Sequence, residues 1–494
     1  MNVHFIAIGG SAMHNLALAL KLKGYNVGGS DDEIFDPART RLKKAGILPE
    51  KEGWFPEKIT PDLDAVVLGM HARKDNPELL KAQELGLKIY SYPEYLYEQS
   101  KDKVRIVVGG SHGKTTITSM ILHVMRATGV SADFIVGAQL AGFNLMVHLS
   151  DREAKNGPDY MVIEGDEYLT SPIDPRPKFH LYHPNIAVVS GIAWDHMNVF
   201  PTFDVYKEQF TKFVNLIEPG GKVIYCEEDP VVKEVVEGTN RKDIEYIPYG
   251  TPHYKVAPDG EGTIVTDDKG NEYPMHIFGH HNMQNLMAAS HVCECVSISP
   301  CYFLEAMKDF EGAAQRLELV MHSSSEKELD KKPKVVDANS IEKMQHTRYE
   351  GRRTYDCSVY RDFAHAPSKL RATVAAMKEE YPNHRLVACM ELHTHSSLSD
   401  NFLQQYAGTM DKVDVPIVYF NPSAVELKHL PPLSKAHIHD AFQTSAIEVY
   451  DDSAELQRRI KEIFPEGTRC QNLLMMSSGN FDGIDFKQLA EELL

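Results

Sequence analysis

The chain has 494 residues and a formal net charge of −18, too long for one core and enough for about three domains. The acidic balance excludes a general nucleic-acid binder, so anionic ligands must be held by local donors and metal ions rather than by the overall field. No run of about 18 apolar residues offers a membrane span, the N-terminus lacks an export signal, and seven scattered cysteines, Cys293 and Cys295 among them, read as reduced thiols of a cytoplasmic protein.

Residues 1–100 alternate strands and helices. Val3–Ile8 reads as a strand, followed by the turn Gly9-Gly10-Ser11 and a helix carrying Leu16, Leu18, Ala19 and Leu20. Tyr25–Gly29 leads to Ser30-Asp31-Asp32, Ala65–Gly69 and Leu87–Tyr90 are further strands, and a helix follows Asn76-Pro77. This alternation predicts a parallel, doubly wound sheet. The glycine turn suggests a phosphate site, and Asp31, 22 residues past Gly9, stands where an acid holds a ribose hydroxyl. Ala7 and Ala12 occupy glycine-like positions, which leaves the dinucleotide fingerprint incomplete. Nucleotide binding and a plain tight turn both stay open, and an NAD-dependent oxidoreductase is the reading from another class.

Ser100-Lys101-Asp102-Lys103 makes a first boundary. A short apolar strand, Val104–Val108, then runs into Gly109-Gly110-Ser111-His112-Gly113-Lys114-Thr115-Thr116 and a helix that Gly129 ends. Strand, glycine turn and helix opening with Lys and Thr make a phosphate cradle. Glycines let backbone N–H groups approach an anion, Lys114 reaches outer phosphates, and Thr115 or Thr116 offers a hydroxyl to magnesium. Val108 stands where the usual P-loop has its first glycine.

Tyr160–Ile163 is a strand ending at Glu164-Gly165-Asp166-Glu167, and Ile186–Ser190 runs on to Trp194-Asp195-His196. Ligands of open α/β sheets gather beyond the carboxyl ends of strands, so Lys114, Thr115, Glu164 and His196 are expected to converge. Asn282 and Asn285 open an apolar helix, where they cap it or grip an adenine edge, capping being the simpler reading. Residues 322–354 read as an exposed polar insertion. Beyond it, Cys357–Pro367, a helix bearing Leu370, Val374 and Met377, and strands at Leu386–Met390, Pro416–Phe420 and Asn472–Met476 predict a further doubly wound unit.

The strings Ile8-Gly9-Gly10, Gly110–Thr116, Glu164–Glu167, Asp195-His196, His281–Asn285, Gln315-Arg316 and Asp362–His365, in this order, resemble the Mur ligase family of ATP-dependent amide-forming enzymes. The resemblance implies an α/β protein of three domains. These are a Rossmann-like N-terminal domain (1–100) for a UDP sugar, a P-loop-type central ATPase domain (101–318) and a Rossmann-like C-terminal domain (319–494) for the amine. It implies ATP and Mg²⁺ as cofactors, with peptidoglycan building or recycling as the setting, in a monomer or homodimer. Gly9, Gly10, Ser11, Ser30 and Asp31 would hold UDP-N-acetylmuramate. Gly110, Ser111, His112, Gly113, Lys114, Thr115, Thr116, Asn282, Asn285, Arg316, Asp362 and His365 would hold ATP. Thr115, Glu164 and His196 would hold metal, and Lys114, Glu164 and His196 would act in catalysis. The closing Met475–Ile484 is similar to members that ligate the tripeptide L-alanyl-γ-D-glutamyl-meso-diaminopimelate, with L-alanine the alternative amine. Three features depart from the family: Arg361 where relatives often carry an acid, Ala366 where they often carry histidine, and Glu391–Ser397 where they carry an arginine-containing stretch. Lys207 and Lys212 lie where some relatives carbamylate a lysine, with nothing to assign either.

Overall fold

The computed structural model describes residues 1–137, 145–150, 157–258, 262–328, 352–444, 446–464 and 470–494. It forms two compact units, Met1–Ala314 and Gln315–Leu494.

The first unit begins with β1 (Asn2–Ile6), β2 (Asn26–Ser30), β3 (Ala65–Leu68) and β4 (Ile89–Ser91), in the order β2-β1-β3-β4 and all parallel. The helices α1 (Ser11–Leu22), α2 (Ala38–Lys44), α3 (Pro77–Glu84) and α4 (Tyr92–Ser100) alternate with them. Asn76 caps α3, accepting from Glu78 and Leu79 N–H, and Pro77 fills the first turn, where its missing N–H costs nothing. β1 lies between the strand that follows it and the one after that, so its carboxyl end opens onto a switch point.

A seven-stranded sheet follows in the order β13-β12-β11-β5-β8-β6-β7. Its strands are β5 (Val104–Gly109), β6 (Ala132–Ile135), β7 (Val147–His148), β8 (Tyr160–Glu164), β11 (Ile186–Val189), β12 (Lys222–Cys226) and β13 (Glu245–Tyr249). Two strands, β9 (Leu169–Ser171) and β10 (Asp174–Pro177), pair apart from it. β7 alone is antiparallel. β5 is central, and Ile106, Val107 and Val108 are fully buried, as expected of a strand covered on both faces. The helices α5 (Lys114–Ala127), α6 (Phe203–Asn215), α7 (Pro230–Gly238), α8 (His280–Cys295) and α9 (Pro300–Met307) belong to this part. A small antiparallel sheet, β14 (Tyr254–Val256), β15 (Thr263–Thr266) and β16 (Glu272–Met275), precedes α8. One apolar cluster runs from Val3, Phe5 and Leu16 to Val107, Ile163 and Phe179, so the two larger sheets share a core. Arg105 fastens the same junction: its buried guanidinium donates to the carbonyls of Lys101, Lys103, Tyr182 and His183.

The second unit is a six-stranded sheet, β17-β18-β22-β19-β20-β21. Its strands are β17 (Glu318–Glu328), β18 (Arg352–Asp362), β19 (Arg385–Leu392), β20 (Val415–Phe420), β21 (Glu448–Tyr450) and β22 (Gln471–Met476). All are parallel except β17, which pairs antiparallel with β18. The sequence reading of 322–354 as an insertion is corrected at both ends. Residues through Glu328 and from Arg352 are strand, joined from Glu318↔Arg361 to Glu328↔Arg352. Main-chain pairing carries this ribbon, and it leaves no apolar period to read; residues 329–351 lie outside the described residues. Pro367 opens the helix Pro367–Glu380 as expected.

Candidate active site

At the first glycine turn, Ala7 adopts φ +68, a left-handed conformation that glycine favours. Ala7 and Ile8 N–H both donate to the Ser30 carbonyl, at 2.9 and 3.1 Å. The Ser30 side chain is fully buried, so the carbonyl is what it gives the turn. Gly9 N–H donates to Asp31 Oδ2 at 2.6 Å, and Asp32 N–H donates to Oδ1 at 3.0 Å. Asp31 therefore anchors the turn through Oδ2, while Oδ1 accepts from its own neighbour. Burial pushes its carboxyl up to about 6, against the Gly9 N–H, which favours the charged form. Gly10 precedes α1 at its cap, and Ser11 is its first, exposed residue.

The second glycine turn joins β5 to α5. Gly110 and Gly113 have φ of +138 and +77. A Cβ on Gly110 would lie 2.1 Å from Ser190 Oγ, and one on Gly113 2.3 Å from Asn285 Oδ1. The loop thus needs glycine for both conformation and space. Ser111 N–H donates to Gly191 O at 2.9 Å, and His112 packs against Gly191. Lys114, Thr115 and Thr116 form the first turn of α5, where backbone N–H groups lack helical acceptors and favour an anion.

Carboxylates meet this helix start. Thr115 Oγ1 donates to Glu164 Oε1 at 2.8 Å, and Glu164 Oε2 accepts Gly137 N–H at 2.6 Å. Lys114 Nζ donates to Gly110 O and to Glu167 Oε2, each at 2.6 Å. Burial alone would lower the Lys114 pKa, but Glu167, Asp166 and Glu164 raise it, so the ammonium stays charged. Burial likewise opposes ionisation of Asp166, yet Lys178 and Lys114 hold its carboxyl below the usual range. His196, at φ +57, places Nε2 3.7 Å from Glu167 Oε1. Thr115 meets Glu164, and His196 joins the cluster through Glu167. Thr116 is buried in the helix turn.

Asn282 and Asn285 do not cap α8. Gly279 precedes the helix with no side-chain cap bond, and Asn282 Nδ2 donates back to Phe278 O at 2.9 Å. Asn285 instead lies against Gly113 of the glycine turn. Neighbouring His281 is pushed down to about 4 by burial, with His112 and His280 adding to the effect.

In the second unit, Asp362 ends β18 and accepts N–H groups from Leu317 and Ala364, at 2.5 and 2.7 Å. Burial raises its pKa against the opposing charge of Arg316. Arg316 stacks on the Phe363 ring at 4.4 Å, and His365 Nδ1 lies 2.8 Å from Phe363 O. Arg361 makes a two-point pair with Glu318, at 3.0 and 3.1 Å. Buried Glu391, at the end of β19, accepts from Ser477 Oγ and Phe481 N–H, with His393 Nδ1 at 3.5 Å.

Among the described residues, no group of three or more His, Cys, Asp or Glu side chains gathers as a ready metal cage. Magnesium does not require one, since it takes one or two carboxylates and leaves the rest to phosphates and water. Thr115 Oγ1 and Glu164 Oε1 are hard oxygen donors suited to it. Glu167 is the residue that sequence reading left out of the site. Its place three residues beyond Glu164, past the same strand end, was the available signal.

Residues 2–103 match the family model described as Mur ligase family, catalytic domain, and residues 108–293 match the Mur ligase middle domain. The UDP-N-acetylmuramate–L-alanyl-gamma-D-glutamyl-meso-2,6-diaminoheptandioate ligase of Escherichia coli (strain K12) is 25% identical over 502 residues, spanning 99% of this chain and 98% of that relative. The UDP-N-acetylmuramate–L-alanine ligase of Caldicellulosiruptor bescii is 30% identical over 433 residues, spanning 84% and 83%. The solved murein peptide ligase of Psychrobacter arcticus 273-4 superposes with a TM-score of 0.63 at 22% identity, covering 100% of this chain and 98% of that one. By its glycine cradle, the acids around it and these likenesses, the chain belongs to the Mur ligase family.

Proposed function

We propose that this protein is an ATP-dependent ligase that joins UDP-N-acetylmuramate to the tripeptide L-alanyl-γ-D-glutamyl-meso-diaminopimelate. The observation that carries this reading is the likeness over 99% of the chain to a ligase named for that tripeptide. The 30% identical L-alanine ligase supports the second reading, in which L-alanine is the amine. The three-domain division at 1–100, 101–318 and 319–494 belongs to the same proposal.

A carboxylate resists amines because oxide is a poor leaving group. Transfer of the γ-phosphoryl group of ATP to the muramoyl carboxylate gives an acyl phosphate and ADP. The neutral amine attacks the acyl carbon, phosphate leaves, and the nitrogen loses a proton. The chain's part is placement and charge neutralisation. Gly110 and Gly113 let the loop approach phosphates, and the start of α5 supplies N–H donors. Lys114 is charged and within reach of the same anions. Thr115 and Glu164 would hold magnesium, which would supply positive charge to offset that of the phosphates.

The test is phosphate release with ATP, Mg²⁺ and UDP-N-acetylmuramate, offering the tripeptide or L-alanine. Release with the tripeptide and not with L-alanine is expected. The reverse establishes the second reading, and release with neither amine overturns both.

A further inference from the structure

Four groups on four segments around the glycine turn form a hydrogen-bond chain with one possible direction. Ala193 N–H donates to Ser111 Oγ at 2.8 Å. Ser111 Oγ and Tyr206 Oη are 2.9 Å apart, and Tyr206 Oη donates to Glu167 Oε1 at 3.1 Å. A backbone N–H can only donate and a carboxylate only accept. Tyr206 spends its single proton on Glu167, so Ser111 must donate to Tyr206. Ser111, Tyr206 and Glu167 are 3%, 0% and 1% exposed, so water does not compete. Glu167 is then fixed at both oxygens: Lys114 holds Oε2, and Tyr206 holds Oε1, the oxygen that His196 approaches.

We propose that Tyr206 is a positioning residue for phosphoryl transfer: its hydroxyl locks Glu167, and through it Lys114, to Ser111 of the glycine turn. The proposal rests on the ligase reading above. Tyr206 touches no reacting atom. It sets the angle at which the Glu167 carboxylate presents the Lys114 ammonium, and it makes loop and carboxylate move as one body. Its ring packs against Phe200 and Phe210, with centroids 5.3 Å from each, and phenylalanine keeps that ring without the hydroxyl.

The experiment compares the parent, Tyr206→Phe, Glu167→Gln and the double variant. It reads thermal unfolding, calorimetric binding of Mg²⁺-ATP, and kcat for phosphate release. For Tyr206→Phe, the melting temperature is expected to fall by a few degrees, since two buried groups lose a partner, and nucleotide affinity to stay near parental, while kcat falls about tenfold, the scale of a lost hydrogen bond to a charged group. In the Glu167→Gln background the same change is expected to alter kcat little, because the two residues act as a unit. Parental kcat in Tyr206→Phe, additive losses in the double variant, or a fall in affinity matching the loss of kcat would each overturn the proposal. A parent that binds Mg²⁺-ATP yet releases no phosphate with either amine overturns the ligase reading itself, and this inference with it.

Discussion

The Lys114 ammonium sits 2.6 Å from a Glu167 carboxylate whose side chain is 1% exposed. Removing one partner of such a pair strands the other in a medium that solvates charge badly. Lys114→Met is therefore expected to lose about 3 kcal/mol of stability near neutral pH, measured by urea unfolding, as well as Mg²⁺-ATP binding. Asp31 carries a pH dependence of definite sign. Its folded pKa is about 6 against an ordinary aspartate value of 3.8, so the folded state binds the extra proton in that window. The contribution is fully present below about pH 3.8 and is lost as pH rises through 6. Relative to Asp31→Asn, which stays neutral, the parent should lose about 2 kcal/mol between pH 4 and 7, read as diverging urea midpoints. Lys114, Thr115 and Glu164 were legible in the sequence because a glycine turn and two strand ends fix where they stand. Tyr206 was not: a tyrosine on the buried stripe of an amphipathic helix reads as core, and only its hydroxyl's partners distinguish it.

The glycine turn is the element with least tolerance. Gly113 combines φ +77 with an absent Cβ that Asn285 Oδ1 would otherwise meet at 2.3 Å. Gly113→Ala should cost about 2 kcal/mol from the left-handed backbone and the displaced amide. It should also weaken Mg²⁺-ATP binding at least about tenfold, because the N–H donors of the cradle move; calorimetry and thermal unfolding check both. The strands around this turn were readable as continuous apolar runs because both of their faces are covered. The β17–β18 ribbon was not readable in the same way. His322, Ser323, Ser324 and Glu326 look like loop in a sequence, and main-chain pairing with Ser358 through Thr354 makes them strand. The asparagines of α8 failed differently. Their spacing suited a cap, but Gly279 occupies that position, and Asn282 returns its hydrogen bond to Phe278 from within the first turn.

Across the whole molecule, alternation of strand and helix foretold the doubly wound sheets but not how they share apolar surface. Because one cluster reaches from Val3 to Phe213 across the first two sheets, residues 1–314 should unfold in a single transition. A Met1–Ala314 fragment followed by far-UV and near-UV circular dichroism tests this, and separate melts for 1–100 and 101–314 would count against it. The second unit has its own cluster, built from Val359, Leu473, Leu456 and Leu489 among others. The surroundings of Arg361 and Glu391, at two of the places that depart from the family, were the least legible, because their partners Glu318, Ser477 and Phe481 are distant in sequence. One further consequence lies along β18. From Cys357 to Asp362 it has neighbours on both edges, β17 and β22, while from Arg352 to Asp356 it has, among the described residues, β17 alone. Deuterium should therefore enter a single unbroken strand at two rates, fast at its start and slow at its end, with the change near Cys357. Peptide mass spectrometry would see the boundary between ribbon and sheet as a step in isotope uptake.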